Sequence, residues 1–429
     1  MTTRPRAVRL AVVGCGLIGR EHLRAWRSVS RSGAPPFGIV AVCDADELSA
    51  RQAADEVAQF SGSRPQAHLS VGDLLEAVDV DAVDICLPVH LHAPAVEAAA
   101  ACGVHAMVEK PLARTIDEGR RMVDAMEAAS LVLALAENHR RSLGIRTARW
   151  LLRERAIIGA PKVFHAQRSR FEPPVARATQ WRAVRALGGG GWAIDNGAHL
   201  LDALTYLFGP AESVTAVARR VAERPLVTVD GEPAGIDERE DLLLGLMNFT
   251  GDVSGVLSCI SSLPGDERFH FSIQGTKGSL VDSGGQLFHA PLPTAHLHTA
   301  DGAVGQIVDH QKEYLAALPL AERDRLFPFG LVEDFPVECA DFLRAVAWNS
   351  PVEINGRAGL RTLATSLAFY ESSAAGRTVR VDDVLTGAVS AYQDALHIPD
   401  PDGVRLDADP PGRCLRRGEP ASDASQGDS

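Results

Sequence analysis

Lysine is scarce in this chain. Of 43 basic residues, only Lys110, Lys162, Lys277 and Lys312 are lysines, and the remaining 39 are arginines. No basic stripe or polybasic run stands out and the formal charge is −12, which argues against a nucleic-acid partner. No apolar run reaches the roughly 18 residues that a membrane-spanning helix needs, so no membrane partner is expected. The opening MTTRPRAVRLAVVG has a short apolar run but no h-region or small-residue cleavage site, so it does not read as a signal peptide. Cysteines are few and odd in number, seven in all, and none forms C-x-x-C. That excludes a disulfide scaffold and a thiolate zinc site, and it fits buried thiols in a reducing, cytoplasmic setting.

What is present is an alternation of strand-like and helix-like segments. VRLAVV (8–13) reads as a buried strand, GREHLRAWRSV as a helix, and IVAVCDAD (39–46) as a second strand ending in acids. A strand at 82–87, the alanine-rich APAVEAAAAC, then VHAMVEK, TIDEGRRMVDAMEAAS and LVLALAENH continue the pattern to about residue 140. Strands separated by helices at this pitch predict a parallel sheet with crossover helices, a Rossmann-type α/β domain over residues 1–140. Beyond it, KVFHAQRS, SVTAVARR, DLLLGLMNF, SGVLSCISS and RFHFSIQG follow one another with few helices. They predict a large, mostly antiparallel open sheet in an α/β domain over 141–398, with one face covered and the other free for a partner chain. Residues 283–330 read as a long, weakly periodic excursion, and 399–429 as a disordered tail. ECADFLRAVAW and AGLRTLATSLAFYESSA read as amphipathic helices, the second with Leu360, Leu363, Leu367 and Ala374 near one face.

Three motifs carry chemistry. In GCGLIG, between the first strand and helix, Gly14 suits a tight turn, Gly16 lets backbone approach a pyrophosphate, and Gly19 allows close helix–strand packing. Leu17 and Ile18 stand at the helix start, whose free N–H groups suit the same anion. Asp44, 25 residues after Gly19, can accept from the ribose hydroxyls of NAD and would repel the 2′-phosphate of NADP. NAD is therefore expected ahead of NADP, with a helix N-cap as the other use for Asp44. The second motif pairs DICLPVHLHAP with VHAMVEKPLA, where Pro88 and Lys110 both close strands at the edge where ligands bind in such sheets. A surface position in this chain is ordinarily given arginine, so Lys110 suggests a need for a compact ammonium whose pKa can shift. His92 stands open between a helix-start residue and a chemical one. The third motif is GGGGWAIDNGAHLLDAL, where Asp195 and His199 are four apart and share a face if a helix has begun. A histidine with a carboxylate beside it suits general-base work. Asp202 adds a further acid.

Taken in order, the strand–GCGLIG–helix start, Leu-Pro-x-x-x-His, Glu109-Lys110-Pro111 and GGG-x-Asp195-x-Gly197-x-His199 resemble the Gfo/Idh/MocA oxidoreductases over roughly residues 7–385. QGTKGSL (274–280) resembles a late turn of that family's second domain. The resemblance implies a nicotinamide-dependent dehydrogenase acting on a secondary hydroxyl of a sugar, cyclitol or glycoside, with no metal required. It implies contacts from Lys110 to the nicotinamide ribose and the reacting hydroxyl, His199 as proton acceptor, and Asp195 orienting substrate or histidine. It further implies that Glu109 helps hold the ribose, that the Lys110–Pro111 peptide is cis, and that Asn138 touches the nicotinamide end. Trp181 and Arg182 match a segment reaching over the cofactor, while Leu87, Pro88 and His92 lie along it. Leu87 and His90 depart from the Thr and Asn usual around that proline, so only backbone contacts from Leu87 carry over. A homodimer or homotetramer through the second sheet is also implied. The arginine- and alanine-rich composition fits a GC-rich source, where such enzymes tailor sugars or aminoglycosides. An NAD-dependent glycosidase, a non-catalytic dinucleotide sensor, and a metal hydrolase using His90, His92, Asp195 and His199 are the alternatives.

Overall fold

The computed structural model describes residues 6–171, 176–177, 180–228, 231–261, 263–265, 267–283, 295–302 and 304–396. Strands β1 (Val8–Val13), β2 (Phe37–Cys43), β3 (Gln66–His68), β4 (Ala82–Ile85), β5 (His105–Glu109) and β6 (Leu133–Ala136) pair in parallel in the order β3-β2-β1-β4-β5-β6. Helices α1 (Leu17–Ser30), α2 (Glu47–Ser61), α3 (Val71–Ala77), α4 (His92–Ala101) and α5 (Ile116–Ala128) connect them. The strands are near-continuous apolar runs because both faces are covered; every residue of β4 and β6 is buried. Strand order reverses between β1 and β4, the switch point where ligands bind outside the carboxyl ends of open α/β sheets. The segments leaving β1, β4, β5 and β6 bring Gly14, Leu87, Lys110 and Glu137 to that one edge.

Helix α6 (Leu143–Arg153) leads into the second half. It holds β7 (Pro161–Ser169), β8 (Ala176–Arg177), α7 (Gln180–Ala183), α8 (Arg185–Gly188), α9 (Gly197–Phe208), β9 (Ala211–Arg219), β10 (Pro225–Val227) and β11 (Pro233–Ile236). Next come β12 (Leu242–Phe249), β13 (Val253–Ile260), β14 (Arg268–Gly275), β15 (Gly278–Asp282), β16 (His296–Thr299) and β17 (Val304–Gln306). Helices α10 (Ile307–Ala317), α11 (Leu320–Leu326), α12 (Asp334–Trp348) and α13 (Gly356–Ala375) and strand β18 (Val379–Arg380) follow. Nine strands form one sheet, β17-β16-β15-β14-β7-β13-β12-β9-β18, antiparallel at every step but β7–β13. Side chains alternate: on β13, Val253, Leu257 and Cys259 are buried while Val256 is exposed. Phe164 and Phe208 stack within the covered side and Phe249 meets both edge-on, 5.5–5.8 Å between centroids.

The structure refines the sequence expectations here. Residues 295–330 are not a structureless excursion: β16 and β17 extend the large sheet, and α10 and α11 follow. These strands, four and three residues long, are too short to show a period in the sequence. Residues 284–294 of that stretch and the tail from Pro399 lie outside the described residues. Helix α12 returns to the first sheet: Cys339, Phe342 and Leu343 complete a core with Val12, Leu23 and Trp26. On α13, Leu360, Leu363 and Leu367 are buried as expected, but Ala374 at its end is exposed. Cys15, Cys43, Cys259 and Cys339 are buried free thiols; Cys102 is disulfide-bonded, contrary to the all-thiol reading.

Candidate active site

The glycine turn comes first. Gly14 has φ +89°, and a Cβ there would lie 2.5 Å from the Cys86 carbonyl oxygen. A Cβ on Gly19 would lie 1.9 Å from the Gly14 oxygen, so only glycine lets α1 sit this close. A Cβ on Gly16 would meet nothing within 4 Å. That position is open on the outside, so a ligand can approach the backbone there. Gly16 is also the N-cap of α1 and supplies no side-chain cap, so the first N–H groups, at Leu17 and Ile18, remain for an anion. Asp44 follows β2 and accepts from Cys15 N at 2.7 Å and Asp46 N at 2.9 Å, one bond to each oxygen. Each oxygen keeps a lone pair for a ribose hydroxyl. The helix cap belongs to Asp46, which accepts from Ser49 N, so Asp44 is not the cap of α2. These residues fit a dinucleotide.

The ends of β5 and β6 supply the reacting groups. The Lys110–Pro111 peptide is cis. Lys110 Nζ donates to the Asp195 carbonyl oxygen at 3.0 Å and to its Oδ1 at 3.3 Å, with 12% of the lysine side chain exposed. Arg182 Nε lies 3.2 Å from the other Asp195 oxygen and its guanidinium stacks 4.2 Å from the Trp181 ring. Burial works to raise the Asp195 pKa, but Lys110 and Arg182 outweigh it and hold the carboxyl below the usual range. Trp181 in turn lies 6.3 Å from the His90 ring, and with Val89, Pro111, Arg182 and Asp195 it lines a narrow pocket.

Asp195 and His199 do not pair as the four-residue spacing suggested. Helix α9 begins at Gly197, so Asp195 precedes its first turn. The partner of His199 is Glu137, just past β6: Nδ1 lies 2.8 and 2.9 Å from its two oxygens. The rings of His199 and His139 stack at 3.9 Å and 13°. Among the described residues no hydrogen bond reaches His199 Nε2. Burial, and after it the charge of Lys110, drives His199 well below its ordinary pKa, so its imidazole is neutral. The sequence reading missed Glu137; the available signal was an acid closing a strand at the ligand-binding edge. The glycine run is held rather than loose. Gly191 N donates to Glu240 Oε2 at 2.8 Å and a Cβ there would sit 2.4 Å from that oxygen. Asp202 is fully buried, gripped by Arg140 and accepting from Thr362 Oγ1 at 2.9 Å.

Other expected contact residues are turned to the protein. Glu109 is nearly buried: Oε1 lies 3.0 Å from His22 Nε2 and Oε2 accepts from Lys110 N at 3.0 Å. It thus anchors the lysine's backbone, with one bond to each oxygen as at Asp44. His92 is fully enclosed between the carbonyl oxygens of Leu87 (2.9 Å) and Pro111 (3.0 Å), clamping the two loops together. Leu87 and Pro88 remain half-buried at the crevice edge. Asn138 donates to Asp334 Oδ2 at 3.0 Å, tying the end of β6 to α12. Among the described residues, the groups close enough to share an ion all contain His22; none contains His90, His92, Asp195 or His199, which removes the metal-hydrolase arrangement.

Comparison with known proteins agrees with this geometry. A family model described as "Oxidoreductase family, NAD-binding Rossmann fold" matches residues 8–137, and one described as "Oxidoreductase family, C-terminal alpha/beta domain" matches 154–381. The D-apiose dehydrogenase of Paraburkholderia graminis is 30% identical over 386 residues, covering 89% of this chain and 91% of that protein. The levoglucosan dehydrogenase of Pseudarthrobacter phenanthrenivorans is 27% identical over 286 residues, 64% of this chain and 73% of that protein. A solved levoglucosan dehydrogenase in complex with NADH and levoglucosan superposes with a TM-score of 0.70 at 24% identity, covering 88% of this chain and all of that one, a likeness of fold. No described helix is long and apolar enough to cross a membrane. Two successive family domains and a relative matched along nearly its whole length leave one assignment: the chain belongs to the Gfo/Idh/MocA oxidoreductase family, NAD-binding dehydrogenases that act on sugar hydroxyls.

Proposed function

We propose that this chain oxidises a secondary hydroxyl of a sugar, cyclitol or aminoglycoside-like substrate with NAD, reversibly, at the crevice between Lys110 and His199. The observation that carries the reading is the pairing of a mostly buried ammonium, Lys110, with a neutral histidine whose Nε2 is unpartnered among the described residues. Bound NAD supplies the hydride acceptor. His199 Nε2 takes the hydroxyl proton, and the Lys110 ammonium stabilises the alkoxide character that develops on the oxygen. Asp195, one oxygen on Lys110 and the other on Arg182, holds the ammonium in place. Gly14, Gly16, Gly19 and Asp44 hold the cofactor.

The aminoglycoside part of this reading rests on the overall negative charge and on composition, and a keto sugar made here would suit a following transamination. A panel of sugars, cyclitols and aminoglycosides monitored for NADH absorbance tests it. Net NADH formation with any of them excludes both the transient-oxidation glycosidase and the silent sensor; hydrolysis without NADH would replace the present reading by the former. The reaction is placed in the cytoplasm, where the NAD pool lies.

The same proposal includes a homodimer or homotetramer through the large sheet. Its support is a run of exposed apolar side chains on neighbouring strands: Val217, Leu244, Leu246 and Val256, 36–44% exposed, with Leu244 opposite Val217 and Leu246 opposite Val256. Light scattering of Leu244→Asp/Leu246→Asp should show a monomer where the parent is an oligomer; a parent that is itself a monomer would dismiss the interface.

A further inference from the structure

We propose that Glu137 is the positioning residue of the catalytic base: its carboxylate accepts the Nδ1–H of His199 and so leaves Nε2 as the proton acceptor. The inference rests on the reading of His199 as base. Glu137 is completely buried, immediately after β6, and both of its oxygens lie within 2.9 Å of His199 Nδ1. The carboxylate's only other hydrogen bond among the described residues comes from His139 N, at 3.0 Å on Oε1. Burying a carboxylate is costly unless its partners return the lost solvation. One backbone N–H and one imidazole N–H are a thin shell for that, so the carboxylate is poised to gain when the imidazole becomes a cation.

That is what turnover demands. The substrate O–H bond breaks and an N–H bond forms at Nε2. The carbinol C–H bond breaks with its electron pair leaving as hydride, so the carbinol becomes a carbonyl and NAD⁺ becomes NADH. The positive charge then resting on His199 lies against Glu137 and is stabilised there. Asp195, the carboxylate four residues before His199, is engaged instead by Lys110 and Arg182. The two acids thus divide the labour, one for each catalytic cation. Other charges act on the pair: Lys110 and Glu109 from the end of β5, His139 and Arg140 after β6, Asp195 and Asp202 around the start of α9. The acid limb of the pH profile therefore belongs to the Glu137–His199 pair in this field, not to either group alone.

The test compares Glu137→Gln and Glu137→Asp with the parent, using a sugar that the parent oxidises. Gln keeps an oxygen to accept Nδ1–H but removes the charge. Its kcat should fall about 100-fold, with KM and NAD affinity within about twofold of the parent, and its acid limb should move to lower pH by about one unit because the imidazolium loses its support. Asp should restore the limb. Parent-like kcat in Glu137→Gln, or a fall in kcat with the limb unmoved, would overturn the role. ¹⁵N NMR of the parent's histidines, with His199 assigned by its absence in His199→Ala, gives a readout independent of turnover. An Nδ1-protonated neutral ring is expected; an Nε2-protonated ring would overturn the proposal even if Glu137→Gln failed to fold. A parent inert towards every sugar, with the NMR as expected, would count against the dehydrogenase reading alone.

Discussion

His22 is buried and His199 mostly so, and both lie against carboxylates, yet they are driven to opposite charge states. His22, on α1, is fully enclosed with both nitrogens engaged, Nδ1 by Asp84 and Nε2 by Glu109, each at 3.0 Å. Burial works to lower its pKa, but Asp84 outweighs it and holds the ring well above the ordinary histidine range. Trp26 Nε1 adds a 2.7 Å bond to Asp84. Glu338 stands 3.7 Å away with no hydrogen-bond partner among the described residues, and burial pushes its carboxyl pKa well up. This set braces α1, β4, β5 and α12, and through Glu109 it reaches the backbone of Lys110. His199 has a carboxylate on one nitrogen only, and the ammonium of Lys110 works against its protonation. A second carboxylate makes a histidine a fixed cation and a strut. One carboxylate and an unengaged nitrogen leave it a base.

The largest effect that would break this contrast concerns turnover. His199→Ala and Lys110→Ala should each lower kcat by about 10³-fold or more, while NAD affinity measured by cofactor fluorescence stays close to the parent. His22→Ala should retain far more activity per folded molecule than either. If His22→Ala proved as inactive as His199→Ala while fully folded, the division into strut and base would fail.

Next in size is stability. Removing His22 leaves Asp84 and Glu109 buried without their shared partner, which should cost roughly 3–5 kcal/mol in chemical denaturation of the first domain. His199→Ala should cost well under that, since its ring is partly exposed to the crevice and pairs with a single acid. Equal losses from the two variants would mean that the Glu137 contact is as much a brace as the His22 set.

This contrast shows how far the sequence could be read. The Rossmann half was legible because strand, glycine turn and helix are encoded within about 20 residues of one another, and because Lys110 stands out in a chain that otherwise uses arginine. The large sheet was legible as runs of strand length, except at β16 and β17, which are too short to show a period. The partnerships were not. Glu137 meets His199 across 62 residues, and His22 meets Glu109 across 87. Asp195 and His199, adjacent by helical spacing, separate because α9 starts between them. Local spacing shows which groups arrive at a site; only the packing of β5, β6 and α9 decides which of them touch.

The smallest effect, and the most specific, is the sign of pH dependence. A histidine whose pKa is raised on folding contributes stability that is fully present below its unfolded value of about 6.5 and is lost as pH rises through the folded value. For His22 the gap in Tm between the parent and His22→Ala should therefore be widest in mild acid and narrow as pH climbs above about 6.5. For His199 the folded pKa is lowered, so between the folded value and about 6.5 the unfolded chain binds the extra proton and acid weakens the native state. Relative to the parent, His199→Ala should gain as pH falls below about 6.5. Thermal scans of the three proteins from pH 5 to 9 measure both trends together. Trends of the same sign would show that the two rings share a charge state, and that one carboxylate beside an ammonium is enough to hold a buried imidazolium.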